Sequence, residues 1–325
     1  MKKAAWTFLG IPTLVLAVWL PLAAAQDNYP SAPIRVVVGF APGGSTDLVA
    51  RLMAQKLSAQ MNASVVVDNK VGANTNIAAD IVAKAKPDGY TMLFNAPSQV
   101  LSRAFGETLG YDLFKDLAPL ALYSTAPQVL VVHPSVPANT AAEFIAHVKA
   151  NPDKLAYGSA GAGSIIHLGA LTFLQMNGLT ALHVPYKGGS PAMVDLVGGR
   201  IQFTMQGVPS VLPMVKEKRI RALAIASLKR SPLLPDVPTF AETVMPGFEI
   251  GSWTGVMAPA NTPPAIMKRL NGEIMKVLQD TDMRNRLAQD GIVALGSTPE
   301  QYGAYLRSEL ARWSKVIKTA GVKPE

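Results

Sequence analysis

The sequence predicts a two-lobed α/β protein, each lobe a mostly parallel sheet with helices on both faces. Three observations carry this expectation. Beyond residue 25, short apolar runs alternate with helix-like segments. That is the rhythm of strand–helix–strand units, whose parallel strands must be covered on both faces. Two stretches, 34–61 and 155–177, are alike in kind, each a strand, then a Gly/Ser-rich loop, then a helix. One such unit per lobe is what two similar lobes produce. Finally, 325 residues exceed one average domain, and 49% hydrophobic against 16% charged residues supplies sizeable cores.

The N-terminus differs from the rest. Lys2 and Lys3 precede an apolar run over 4–22, which ends in Ala23-Ala24-Ala25. This reads as a secretory leader cleaved before Gln26. The alternative is an uncleaved anchor, against which Pro21 and the small residues count, and the run barely reaches the ~20 residues of a spanning helix. Cysteine is absent, so disulfides and an N-terminal lipid-bearing cysteine are excluded. A periplasmic location is expected.

Residues 34–40 read as a strand, and 48–61 as a helix with Leu48, Val49, Leu52, Met53 and Leu57 on one face. Strand 65–68, helix 77–85 and strand 90–95 follow. The same alternation resumes over 128–133, 141–150, 155–159, 165–177, 181–185, 192–197, 201–206 and 222–227. Thr140 with Glu143, and Thr298 with Gln301, form capping boxes. Ser190-Pro191, Thr262-Pro263 and Thr298-Pro299 put a cap residue before a proline suited to a first turn, and Gly291 and Gly321 suit helix ends. Helices over 263–279, 282–289 and 299–319 close the chain. Crossings between lobes are expected near 123–128 and 250–259, giving one lobe over 26–124 with 250–325 and the other over 125–249.

The candidate chemistry lies in loops. Phe40-Ala41-Pro42-Gly43-Gly44-Ser45-Thr46-Asp47 follows a strand and opens a helix. Its glycines bring backbone N–H groups close to a ligand, and the helix start favours an anion. Asp47 is either a first-turn carboxylate that caps the helix or a ligand contact. Tyr157-Gly158-Ser159-Ala160-Gly161-Ala162-Gly163-Ser164 repeats the same physics. A third loop carries Tyr186 and Lys187. Asn95, Ser98 and Gln206 lie at strand ends, where open α/β folds place ligands. The candidate contacts are therefore Phe40, Ala41, Pro42, Gly43, Gly44, Ser45, Asp47, Asn95, Ser98, Ser159, Ala160, Gly161, Ser164, Tyr186 and Gln206. Charge is 30 − 22 = +8, and +6 without Lys2 and Lys3. The basic residues are scattered, so nucleic acid is not an expected partner. G-x-S-x-G, S-x-x-K and H-E-x-x-H are missing, so an enzyme acting on a carboxylate is the weaker alternative, and neither metal nor cofactor is expected. His167, one turn into its helix, is read as structural rather than catalytic.

Several ordered runs resemble one family. They are Phe40-Ala41-Pro42-Gly43-Gly44-Ser45-Thr46-Asp47, Asn69-Lys70-Val71-Gly72-Ala73, Lys86-Pro87-Asp88-Gly89-Tyr90, Val184-Pro185-Tyr186-Lys187-Gly188, Leu234-Pro235-Asp236-Val237-Pro238-Thr239 and Trp253-Thr254-Gly255. The chain resembles the Bug family, solute-binding proteins of tripartite tricarboxylate transporters, over nearly its whole length. The resemblance implies a hinge-closing Venus-flytrap protein (type II-like), a small carboxylate held by backbone N–H groups and water, and membrane subunits as partners; a monomer is expected. A signalling partner is a further possibility. Asn74-Thr75-Asn76 departs from the family, where another glycine is common.

Overall fold

The computed structural model describes residues 29–320 except 41, 44, 162, 187 and 188. The leader, Ala41, Gly44, Lys187, Gly188 and Gly321 lie outside the described residues, as does the side chain of Ser45.

In the first lobe, β1 (Ile34–Val38), α1 (Ser45–Met61), β2 (Val65–Asn69), α2 (Asn76–Ala83), β3 (Thr91–Asn95) and α3 (Pro97–Ala104) follow one another. β1 lies between β2 and β3, parallel to both. Its Ile34, Val36, Val37 and Val38 are buried, as a strand covered on both faces requires. The second lobe repeats the plan with α4 (Ala141–Ala150), β5 (Ala156–Ser159), α5 (Ile165–Met176), β6 (Leu182–Pro185), α6 (Gly189–Val197), β7 (Phe203–Gly207), α7 (Val208–Lys216), β8 (Arg221–Ile225) and α8 (Phe240–Thr243). β5 is parallel to β6 and β7.

Two strands join the lobes. β4 (Leu117–Val132) pairs antiparallel with β9 (Gly251–Pro259) over Leu117–Pro127. It then pairs with β7 and β8 over Gln128–Val132. β9 also borders β3. The parallel pairing expected from the alternation is present inside each lobe, and antiparallel pairing occurs where the crossing strands run through the sheets. Neither long strand is evident in the sequence beyond 128–133. Pro119 and Pro127 read as strand breakers, yet Pro119 sits at a register shift and Pro127 where β4 leaves β9. α3 and α7 also go unread, α7 because Pro209 and Pro213 suggest a loop.

The chain ends with α9 (Pro264–Gln279), α10 (Thr281–Gln289), the two-residue β10 (Val293–Ala294) against β4, and α11 (Pro299–Ala320). The Thr298–Gln301 capping box forms in both directions, at 3.2 and 2.9 Å. Gly291 adopts φ +66° just beyond α10. α9 and α10 cover one face of the first sheet, around Met53, Tyr123, Leu270 and Ile274. α11 covers the other face and reaches α5 of the second lobe, so a single apolar core runs from Leu93 through Trp253 and Trp313 to Phe173.

Candidate ligand cavity between the lobes

A cavity of about 680 Å3 lies between the lobes. Its wall on the crossing strands is Ser124, Ala126 and Gln128 of β4 with Ser252 and Thr254 of β9. These alternate residues share one face because strand side chains alternate. Ser124 and Thr254 bridge the strands through their hydroxyls at 2.7 Å.

Much of the remaining wall is helix beginnings. Thr46 and Val49 come from α1, Pro97 and Ser98 with the cap residue Ala96 from α3, and Ile165 and Ile166 with the cap residue Ser164 from α5. Gly189 opens α6, and Gly207, Pro209 and Ser210 open α7. Five helix N-termini thus meet at one cavity. Each leaves backbone N–H groups without intrahelical partners and carries about half a positive charge. Val49, Leu101, Phe105, Ile165, Ile166 and Ile292 add apolar surface. Among the described lining residues, Glu107 is the one with a formal charge.

Phe40, Ser98, Ala160, Ser164 and Gln206, all anticipated from sequence, line the cavity. Ser164 caps α5, accepting from His167 N at 3.2 Å and donating to Gly161 O at 2.7 Å. Gln206 braces Gly189, whose added Cβ would come within 2.8 Å of Gln206 Oε1. Pro42 and Gly43 are exposed and do not line the cavity.

Four other candidates point elsewhere. Asp47 is fully buried beneath the first loop, accepting from Gly43 N (2.8 Å), Arg51 Nε (2.8 Å) and Asn69 Nδ2 (2.7 Å). Burial alone would raise its pKa. The hydrogen bonds from Arg51, Asn69 and Gly43 outweigh it and hold the carboxyl below the usual range. With both oxygens occupied, Asp47 shapes the loop from behind. Asn95 is also buried, and its Oδ1 accepts from Tyr302 Oη at 2.6 Å on the α11 side. Tyr186 Oη donates to Asp195 at 2.7 Å. Ser159 contacts Gly161 N and O at 3.1 Å and His183 Nε2 at 2.7 Å, bracing the second glycine loop. Gly161 supplies that turn at φ +109° without lining the cavity.

Behind the second loop the His167 and His183 rings stack at 3.9 Å, with Tyr157 stacked on His183 at 5.0 Å. Gly163 N donates to His167 Nδ1 at 3.0 Å, which requires an unprotonated nitrogen there. Burial, and secondarily the His183 ring, push His167 down to about 4. A neutral His167 therefore holds the loop.

Asn74, Glu107, Gln128, Ser210 and the crossing-strand hydroxyls were not identified from sequence. The period-2 spacing of Ser124, Ala126 and Gln128 is the signal that would have found that wall. Asn74 lies in a left-handed run, with Ala73, Asn74 and Thr75 at φ 45°, 49° and 71°. Gln99 Nε2 donates to Thr75 Oγ1 (2.8 Å), and Asn76 to Ser102 (2.9 Å), pinning the loop to α3. The segment 73–75 is thus a left-handed turn with Asn74 at the cavity.

The lobes touch at two rims. A Cβ on Gly163 would come within 2.8 Å of the Phe105 ring from the first lobe. One on Gly291 would meet Val208 of the second lobe at 3.0 Å.

The profile of the tripartite tricarboxylate transporter family receptor matches residues 49–322. Protein BugT of Bordetella pertussis is 36% identical, covering 97% of both chains. Two solved structures from Rhodopseudomonas palustris are also similar. Rpa4515 with adipate is 37% identical, with a TM-score of 0.79 over 92% of this chain and all of that one. MatC with bound malate is 32% identical, with a TM-score of 0.74 over 89% of this chain and all of that one.

Proposed function

Because the chain belongs to the tripartite tricarboxylate transporter family receptors, the Bug-type periplasmic binding proteins, we propose that it captures a small carboxylate between its lobes and delivers it to membrane subunits of such a transporter. The observation that carries this reading is the meeting of five helix N-termini at one cavity whose described lining holds no lysine or arginine. Such an array favours an anion through fixed partial charges and N–H donors. The apolar residues suit an aliphatic body, in keeping with the adipate and malate of the two similar structures. Phe40, Ser98, Ala160, Ser164 and Gln206 are the proposed ligand-facing residues, with Asn74 and Gln128 beside them.

The lobes are taken as 26–124 with 250–325, and 125–249. The strand pairing supports the division, because both crossings fall on the β4–β9 ribbon. Ligand contacts from both lobes favour the closed form, and only the difference in affinity between open and closed forms can shift that balance. The mature protein acts as a periplasmic monomer after cleavage before Gln26, without turnover of its ligand.

The test is a thermal-shift screen of residues 26–325 against mono-, di- and tricarboxylates, amino acids and aromatic acids. Binding to the native state stabilises by RT ln(1 + [L]/Kd), about 2.7 kcal/mol at a hundredfold excess over Kd. A saturable shift with one carboxylate, lost on Ser164→Leu, is expected. A folded protein that no carboxylate shifts would overturn the reading.

A further inference from the structure

We propose that a second groove, on the opposite face of the β4–β9 ribbon from the ligand cavity, is the docking surface for an acidic, apolar-tipped segment of a membrane partner. The inference rests on the receptor reading above and adds where the partner is recognised.

The groove measures about 500 Å3 and takes its walls from both lobes. Strand alternation fixes its position. Ser124, Ala126 and Gln128 face the ligand cavity, whereas Thr125 and Pro127 face the groove. On β9, Ser252 and Thr254 face the cavity and Gly251 the groove. The ribbon is therefore a shared wall, and Ile292 borders both spaces.

The groove's chemistry fits a protein segment. Leu228 from the second lobe, with Val293 and Leu295 from the first, leave 58%, 49% and 42% of their surfaces exposed along it. Clustered exposed apolar residues mark interaction sites. Lys229, Arg230 and Arg284 stand around them, with Glu249 as the one carboxylate among the described lining residues. Arg230 is engaged with Glu242 at 3.0 Å, whereas Lys229 and Arg284 have no ion-pair partner among the described residues. Cations on both banks around apolar contacts complement a loop with Asp or Glu beside a large apolar side chain.

The chain is free of cysteine, so a single introduced thiol can carry a photoactivatable cross-linker. The full chain with Leu228→Cys would be labelled and irradiated in the cells that make it. The expected product joins the label at position 228 to a membrane protein, at a peptide where an acidic residue neighbours a large apolar one. Lys229→Glu with Arg284→Glu should reduce it at least tenfold while leaving the melting temperature and the carboxylate-induced shift unchanged. A label at Ile77→Cys, exposed on α2 and away from the groove, should give none. No adduct at position 228, equal adducts at position 77, joining only to a second copy of this chain, a peptide without acidic residues, or indifference to charge reversal would each overturn the proposal. Loss of the carboxylate shift in the unlabelled chain would instead overturn the receptor reading.

Discussion

The indole N–H of Trp253 on β9 donates to Glu309 Oε2 on α11 at 3.1 Å, inside the core. Trp313 donates to the same oxygen at 3.0 Å, and Arg312 reaches the other oxygen at 3.2 Å. One carboxylate thus ties the C-terminal helix to a strand that crosses between the lobes. Glu309→Ala should leave two buried indole N–H groups without an acceptor and cost about 2–4 kcal/mol. Chemical denaturation reads this as a lower midpoint with little change in slope, and an unchanged midpoint would mean the tie contributes nothing.

The Phe105 ring resting on Gly163 closes one rim of the cavity. Phe105→Ala should speed ligand release about tenfold, since removing part of an aromatic contact costs about 1.4 kcal/mol. Gly163→Val should weaken binding more, because its side chain meets the ring and the residue sits at φ +74°. Stopped-flow dissociation of any carboxylate found by the screen measures both.

His167 gives a stability slope of definite sign. Its folded pKa of about 4 lies below the ordinary 6.5. The unfolded chain therefore binds the proton first as pH falls, and stability drops between about pH 6.5 and 4, by roughly 1.4 kcal/mol per unit of separation. His167→Gln, which can still accept from Gly163 N, should flatten the melting-temperature profile in that window. Profiles of equal slope would remove His167 from the explanation.

Ala73 is exposed and holds φ 45°, where an L side chain costs about 1–2 kcal/mol. Ala73→Gly should therefore stabilise the protein, raising the melting temperature by about 2–4 °C. A lower melting temperature would show that the turn gains more from restricting the unfolded chain than it loses to strain.

Glu107 brings a negative charge to a cavity otherwise suited to anions. A ligand with a second carboxylate near it is disfavoured by about 1–2 kcal/mol at an effective dielectric near 20. Glu107→Gln should improve binding of dicarboxylates relative to monocarboxylates about tenfold, by calorimetric titration of the paired ligands. Equal gains for both classes would place Glu107 outside reach of the ligand.

The parts of the fold that were legible in sequence follow local rules. Strand 34–38 is largely apolar, both it and 156–159 precede glycine turns, and the Thr298–Gln301 box announces α11. The long strands were hidden because Pro119 and Pro127 break the local pattern, while their justification is nonlocal, in a register shift and a change of pairing partner. The site divided the same way. Loop chemistry identified Ser164 and Ala160, which line the cavity. It could not tell Asn95 from a ligand contact, because its partner Tyr302 is distant in sequence, and it left Asp47 open between cap and contact although Gly43 and Arg51 lie four residues to either side. Glu107 carries no local sign of facing a cavity.

The shared ribbon also constrains the order in which the molecule can be built. Leu93 of β3 pairs with Met257 of β9, and Leu117 with Pro259. The first sheet therefore lacks its central strand until the whole intervening lobe has been synthesised. Such distant pairing is slow to form. A chain emerging N-terminus first therefore holds β1, β2 and β3 without the strand that links them to β4 until its last quarter arrives, so this sheet is completed late.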